Sequence, residues 1–252
     1  MIISESNPNH MPQLRQLWKT AFGDSDDFLD MFYATAYASH RCRCVLEGDH
    51  VAAVLYWFDC TCENQKLAYI YAVATDPAYR NQGLCRRLMA DTHAHLKEKG
   101  YAGAMLLPQT EGLRQMYGKM GYKPCTSLRE FECAASGEPA LLTELTPEEY
   151  TTFRKPMLPP DSVMQEGENL SYLAGYCKFY QSPDFLAVVF QDEDTTICYE
   201  FLGDITHAPA FLQALGAKKG IIRTPGTGKD FAMHTSFDSN FLKPVYFAFA
   251  FD

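Results

Sequence analysis

Arg80-Asn81-Gln82-Gly83-Leu84-Cys85 stands between a β-prone apolar run at residues 67–75 and an amphipathic stretch at 84–99. That stretch repeats Leu84, Leu88, Thr92 and Leu96 at four-residue spacing, widened by Met89, and ends at Gly100, which suits the position just past a helix. A strand that enters a helix through a glycine turn leaves the first helical N–H groups without partners, and such groups can hold a phosphate. Gly83 removes the side chain at the point of closest approach, and residues 81–85 supply candidate amides. Leu84 is placed to anchor the helix from beneath, while Arg80 adds charge or braces the turn. Taken alone, one glycine at a strand–helix junction says little, so the ordered neighbours carry the reading.

Working outward, residues 2–3 open a strand, and 11–22 place Leu14, Leu17, Trp18 and Phe22 near one helical face. Ser25 is an N-cap for a helix at 26–38, whose first residues are acidic. Residues 42–47 and 51–58 flank Gly48-Asp49-His50 as a hairpin, the run at 67–75 makes a third strand, and Pro77 stops its ladder. Beyond the turn, 102–107 read as a strand, 112–120 as a short helix and 126–133 as a closing strand. The fold class is therefore α/β, with a mixed, mainly antiparallel central sheet flanked by helices.

Ala134-Ala135-Ser136-Gly137-Glu138-Pro139 is small and turn-prone, which sets a first domain at 1–133, a linker at 134–139 and a second, smaller α/β module at 140–252. In that module, Pro147 starts a short helix and 168–180 form another; 185–190 and 195–202 are strands, followed by helix 208–215 and strands 220–223 and 245–251. The element order imitates the first half. Gly203-Asp204-Ile205-Thr206 lacks a basic glycine turn, so the one phosphate cradle belongs to the first half.

Read together, residues 73–75, 80–85 and 117–122 resemble the signature of the GCN5-related N-acetyltransferase superfamily, whose Arg/Gln-x-x-Gly-x-Gly/Ala turn binds acetyl-CoA. The resemblance covers about the first half of the chain. It implies the acyl-CoA N-acyltransferase-like fold for the first half; the second module, by its element order, is a degenerate acetyltransferase-like module or a merely topologically similar one that shapes a substrate cleft. It implies acetyl-CoA as cosubstrate, held by Arg80, Asn81, Gln82, Gly83, Leu84 and Cys85, with backbone groups around Val73 and Thr75 on the pantetheine arm. Cys85 occupies the last position, where glycine or alanine is usual; a small packing residue explains it more simply than a nucleophilic thiolate. Thr110 stands where related enzymes often carry asparagine, with a shorter reach toward the cofactor, and Pro108 offers no backbone donor.

Acetyl transfer to an amine needs an uncharged amine, a polarised carbonyl and a proton for the departing thiolate. By resemblance Tyr117 is the general acid; a phenol with a pKa near about 10 stays protonated at neutral pH. The blander reading is a core tyrosine capping the short helix. Spacing assigns no base: Glu111 lies close in sequence to Tyr117, Asp76 follows the strand, and either also suits a solvated turn. Asp252 joins them because some two-domain relatives place a carboxyl terminus at the active site.

The net charge of −9 disfavours a nucleic-acid backbone and favours a cationic or amine-bearing partner. Nine cysteines, an odd number without a disulfide-framework spacing, and an amino terminus without a leader pattern point to the cytoplasm, and no apolar run reaches membrane-spanning length. Cys42-x-Cys44 and Cys60-x-Cys62 invite a zinc reading, but their spacing suits strand alternation, so no metal is expected. The seven histidines join no ligand set, and Gly226-Thr227-Gly228-Lys229-Asp230 falls short of a nucleotide loop. The reading is an N-acetyltransferase acting on a small-molecule or peptide amine, its alternative a catalytically inactive acyl-CoA-binding regulatory or interaction protein. The oligomeric state is left open.

Overall fold

A computed structural model describes residues 1–251, and Asp252 lies outside the described residues. The chain divides into two compact units. The first comprises Met1–Cys60, Asn64–Lys123 and His234–Phe241; the second comprises Thr61–Glu63, Pro124–Met233 and the chain from Leu242 onward.

In chain order the first part carries β1 (Ile2–Glu5), α1 (Met11–Phe22), α2 (Asp26–Thr35), β2 (Cys42–Glu47), β3 (His50–Cys62), β4 (Gln65–Thr75), α3 (Leu84–Glu98), β5 (Gly103–Leu106), α4 (Glu111–Gly118) and β6 (Lys123–Pro124). The remainder adds β7 (Ser127–Ala134), β8 (Thr143–Leu145), α5 (Pro147–Arg154), β9 (Val163–Met164), α6 (Glu168–Leu173), β10 (Lys178–Ser182), β11 (Phe185–Gln191), β12 (Thr196–Gly203), α7 (Ala208–Ala214), β13 (Lys219–Pro225), β14 (Lys229–Asp230) and β15 (Met233–Ser236).

The helices form where periodicity and capping coincide. Leu14, Leu17 and Trp18 bury one face of α1, which stops at Gly23 in a left-handed conformation, and the Ser25 hydroxyl accepts the Phe28 N–H at 3.2 Å to start α2. Trp18 then packs on Phe32, Tyr56 and Tyr71 at 4.6, 5.3 and 5.5 Å between ring centres. Tyr56, Trp57 and Phe58 are buried in β3, and the Tyr33 and Tyr56 hydroxyls bond at 2.9 Å, so this aromatic group is a core.

The first sheet runs β1-β2-β3-β4-β5-β15-β6. β4 and β5 are parallel, paired at Leu67↔Gly103, Ala68↔Ala104 and Tyr69↔Met105. Their register ends there, whereas β4 continues to Thr75 and passes Ala72 at φ 46°. A non-glycine residue in that region costs about 1–2 kcal/mol, and the kink accompanies the parting of the two strands. The resulting free stretch of β4 leads directly into Arg80 to Cys85.

The second sheet runs β14-β7-β13-β12-β11-β10-β8. From the β8 end it repeats the order of the first: a meander, a parallel pair (β12 with β13), a strand supplied by the other half of the chain, and a two-residue edge strand. β7 thus completes the second sheet and β15 the first. Residues 126–133 are a strand as expected, but they do not close the first sheet: β7 pairs with β13 over seven residues, Lys219↔Ala134 to Pro225↔Leu128. The turn at 134–139 follows this exchanged strand. At Gly103, a side chain would meet the Phe241 ring at 2.5 Å and the Thr235 carbonyl at 2.6 Å, so the residues completing the first sheet select glycine there.

Two further expectations are corrected. The helix at 168–180 ends at Leu173, and residues 178–182 instead pair with β11 and β8 as β10. Residues 245–251 form no strand; Val245 is exposed, 246–251 are buried, and the segment is held by contacts that include Val163 N–H to Tyr246 O at 2.8 Å and both amide atoms of Gln165 on the Phe249 backbone at 2.7 and 3.0 Å. A continuous apolar run signals burial, and ladder pairing requires a free strand edge as well.

Candidate functional site

The glycine turn is built by side chains bonding their own backbone. Asp76 Oδ1 accepts the Ala78 N–H at 2.8 Å, Gln82 Nε2 donates to Ala78 O at 3.3 Å, and Arg80 Nε donates to Thr75 O at 3.3 Å. Arg80 therefore braces the turn while remaining exposed. Asn81 and Gly83 both take positive φ, 63° and 73°. Gly83 is the N-cap of α3, no side chain caps the helix, and the first ladder bond runs from Arg87 N–H to Gly83 O at 3.1 Å. The amides of Leu84, Cys85 and Arg86 precede that bond and have no intrahelical acceptor. A Cβ at Gly83 would project into open space, and Leu84 is buried beneath. Open amides, positive helix dipole and nearby guanidinium groups fit a diphosphate.

Tyr117 lies in the second turn of α4 with only 7% of its surface exposed. Burial, followed by the nearby Cys85 thiol, raises its pKa above the usual tyrosine range, so the phenol is held protonated. Its hydroxyl has no hydrogen-bond partner among the described residues. The ring meets Tyr122 edge-on at 5.8 Å, and the Tyr122 hydroxyl bonds His93 Nε2 at 2.8 Å. Burial lowers the His93 pKa to about 4, which keeps that imidazole neutral at physiological pH.

A parted parallel strand pair, an uncapped helix after a glycine turn and a buried tyrosine on the following helix thus share one unit. Over residues 3–125 the sequence matches the acetyltransferase (GNAT) domain family. Residues 3–125 thus resemble a GNAT domain. A 58-residue segment is 38% identical to N-acetyltransferase Eis of Mycobacterium tuberculosis; it covers 23% of this chain and 14% of that protein. In fold, the chain is similar to GCN5-related N-acetyltransferases from Kribbella flavida (TM-score 0.73, 14% identity) and Anabaena variabilis (TM-score 0.71, 15% identity). Each likeness covers 94% of this chain, and respectively 71% and 73% of the other.

Within this GNAT-like domain, the proposed cofactor residues Arg80, Asn81, Gln82, Gly83, Leu84 and Cys85 fall on one turn, and Val73 and Thr75 on the free stretch of β4. Thr110 is the N-cap of α4, where its hydroxyl oxygen accepts the Leu113 N–H at 3.2 Å; its own proton remains to donate. Cys85 is half-buried, and burial raises its pKa, which favours thiol over thiolate. Two of the base candidates, Glu111 and Asp76, already have side-chain partners, and the third, Asp252, lies outside the described residues. Glu111 is exposed in the first turn of α4 beside Arg114 (3.8 Å) and Gln115 (3.3 Å). Asp76 uses one carboxylate oxygen on Ala78 and the other on His50, at 3.0 Å.

His50 and His93 belong to no metal-ligand group among the described residues, but each has a side-chain hydrogen-bond partner. The signal for His50 was available: the β3–β4 turn lies near residue 63, so hairpin pairing brings the start of β3 beside the end of β4, where Asp76 N–H reaches Ala52 O at 2.9 Å. The His93–Tyr122 bond joins residues 29 apart with no local pattern. Cys42, Cys44, Cys60 and Cys62 are buried and in no disulfide, and among the described residues no group of three His, Cys, Asp or Glu side chains could hold a metal. No described helix is long and apolar enough to cross a membrane.

Proposed function

We propose that this chain transfers an acetyl group from acetyl-CoA to a primary amine, by direct attack while both substrates are bound. The uncapped start of α3 behind Gly83, beside the parted edge of β4, carries the reading. Amides from Leu84 to Arg86 and the charge of Arg80 would hold the diphosphate, and the free backbone of β4 near Val73 and Thr75 the pantetheine arm. Acetyl-CoA supplies the activated acyl group. Tyr117 keeps a proton on its hydroxyl for the departing thiolate, and a carboxylate takes the amine proton, with Glu111, Asp76 and Asp252 as candidates. The acidic chain favours a cationic acceptor, a small molecule or peptide, in the cytoplasm.

In this proposal the second unit is a degenerate copy of the GNAT domain. It repeats the strand order, but Asp204 accepts from both the Thr206 N–H (2.9 Å) and hydroxyl (2.7 Å) where an anion would need free donors, and Pro209 removes a donor from the start of α7. A side chain at Gly203 would collide with the Asp184 carbonyl oxygen, so the second turn is closed where the first is open.

Calorimetry with acetyl-CoA, combined with thiol release over a diverse amine panel, tests the activity. Saturable binding and CoA release with at least one amine are expected; binding without release across the panel assigns the inactive alternative. Gly83→Val places a β-branched residue at φ 73° and a side chain in the phosphate approach. Acetyl-CoA affinity is expected to fall at least about tenfold while the fold survives a cost of roughly 1–2 kcal/mol. Unchanged affinity would place the phosphate elsewhere. Removal of Asp252 is expected to lower turnover and leave acetyl-CoA affinity intact; unchanged kinetics with a validated amine strikes it from the base candidates.

A further inference from the structure

The hairpin between β2 and β3 contacts the same turn. His50 Nε2 bonds Asp76 Oδ2 at 3.0 Å, and its ring stacks on Tyr79 at 5.2 Å with 26° between planes. Asp76 and Tyr79 bracket the helical turn Pro77–Tyr79 that delivers the chain to Arg80. The interaction with Glu47, at the other side of the hairpin, raises the Tyr79 pKa above the ordinary value. The hairpin is itself fixed: Gln13 of α1 donates to Asp49 O at 2.7 Å and accepts the Val51 N–H at 2.9 Å. A continuous run of contacts thus joins α1, the hairpin, His50 and the residues immediately before Asn81.

We propose that His50 is a positioning residue for the acetyl-CoA turn, a role that rests on the function proposed above. Asn81 adopts φ 63°, a conformation few non-glycine residues hold unaided, and the amides that follow need a fixed direction to act together on one diphosphate. A turn already ordered before binding loses less conformational entropy on binding. Imidazole suits the task because one ring supplies both a hydrogen bond to a carboxylate and a flat face for a phenol. His50 touches none of the turn's free amides, so its effect passes through Asp76 and Tyr79. Its side chain is 44% exposed and lines a surface groove of about 930 Å³ with α1 and Pro77, so replacing it opens no cavity in the core.

The test compares wild type, His50→Ala, His50→Gln and Gln13→Ala. CoA binding is measured by calorimetry, KM and kcat with an amine found in the thiol-release panel, and thermal stability by circular dichroism. For His50→Ala, the CoA dissociation constant and the KM for acetyl-CoA are expected to rise about fivefold, consistent with losing one half-exposed pair and one ring contact. Turnover at saturation stays within about twofold, the factor separating an interaction made equally in ground and transition states from one made only in the latter. His50→Gln keeps a donor for Asp76 without the stacked ring and falls between wild type and alanine. Gln13→Ala, which frees the hairpin and leaves His50 in place, weakens CoA in the same direction. Wild-type CoA affinity in His50→Ala, or a loss confined to kcat, overturns the positioning role alone. A wild-type chain that binds no CoA overturns the proposed function and this role with it.

Discussion

Tyr117→Phe is expected to lower turnover about a hundredfold, the lower end of what a general acid contributes, while the acetyl-CoA dissociation constant stays within about twofold of wild type. The substitution removes one hydroxyl that makes no hydrogen bond among the described residues, and the ring keeps its edge contact with Tyr122. Lost turnover then reports on the proton and not on the fold, and thermal unfolding of the variant should overlay that of the wild type. Because burial and the Cys85 thiol raise the Tyr117 pKa, the alkaline fall in turnover due to this group should begin above about pH 10 in the wild type. Tyr122→Phe is the informative comparison. It breaks the bond to His93 behind the proposed acid and keeps the Tyr117 hydroxyl, so turnover should fall far less than in Tyr117→Phe. Equal turnover in Tyr117→Phe and wild type, at saturating acetyl-CoA, rejects the acid role.

The parts of this molecule that local chemistry determines were legible before the structure. Ser25, Gly83 and Gly100 mark helix ends because caps and positive φ are properties of one or two residues, and α1 and α3 announce themselves by one buried face. Partner choice was not legible. The pattern in residues 126–133 gives a strand but says nothing about which sheet receives it, and its partners on β13 are 85 to 97 residues away, from Lys219↔Ala134 to Pro225↔Leu128. β15 escaped because Met233-His234-Thr235-Ser236 is short and half polar; its place beside β5 depends on Gly103 clearing the Thr235 carbonyl. The site divides in the same way. The glycine turn and the position of Tyr117 follow from spacing and family resemblance, and the nearness of His50 to Asp76 follows from hairpin pairing, whereas His93 acquires its partner only when helices and strands are assembled.

Glu200→Ala is expected to be the most damaging single change for stability. Glu200 and Arg154 are both fully buried, joined at 2.6 and 3.0 Å through two guanidinium nitrogens, and the Tyr150 hydroxyl donates to the same carboxylate at 2.7 Å. Burial opposes the Arg154 charge, and Glu200 more than offsets it, so the arginine pKa lies above its usual value. Alanine leaves a buried cation and a phenol without their acceptor, at a cost of roughly 3–5 kcal/mol. The pair need not be a net stabiliser for this to hold: an apolar replacement of both partners, Arg154→Met with Glu200→Leu, should recover most of the loss, because neither charge then has to be desolvated. Urea unfolding followed by far-UV circular dichroism measures both variants; a Glu200→Ala transition within about 1 kcal/mol of wild type would show that water reaches the site and solvates the arginine. The consequence extends to the GNAT-like domain through the chain itself. β15 completes the first sheet but is continuous with the second unit at Met233, and residues from Leu242 onward return to that unit, where Arg154 lies over the Phe249 ring at 4.8 Å. Loss of the second unit's core frees the chain on both sides of β15, so in Glu200→Ala acetyl-CoA binding should be lost at the lower urea concentration at which that unit unfolds, although Glu200 takes no part in the proposed chemistry.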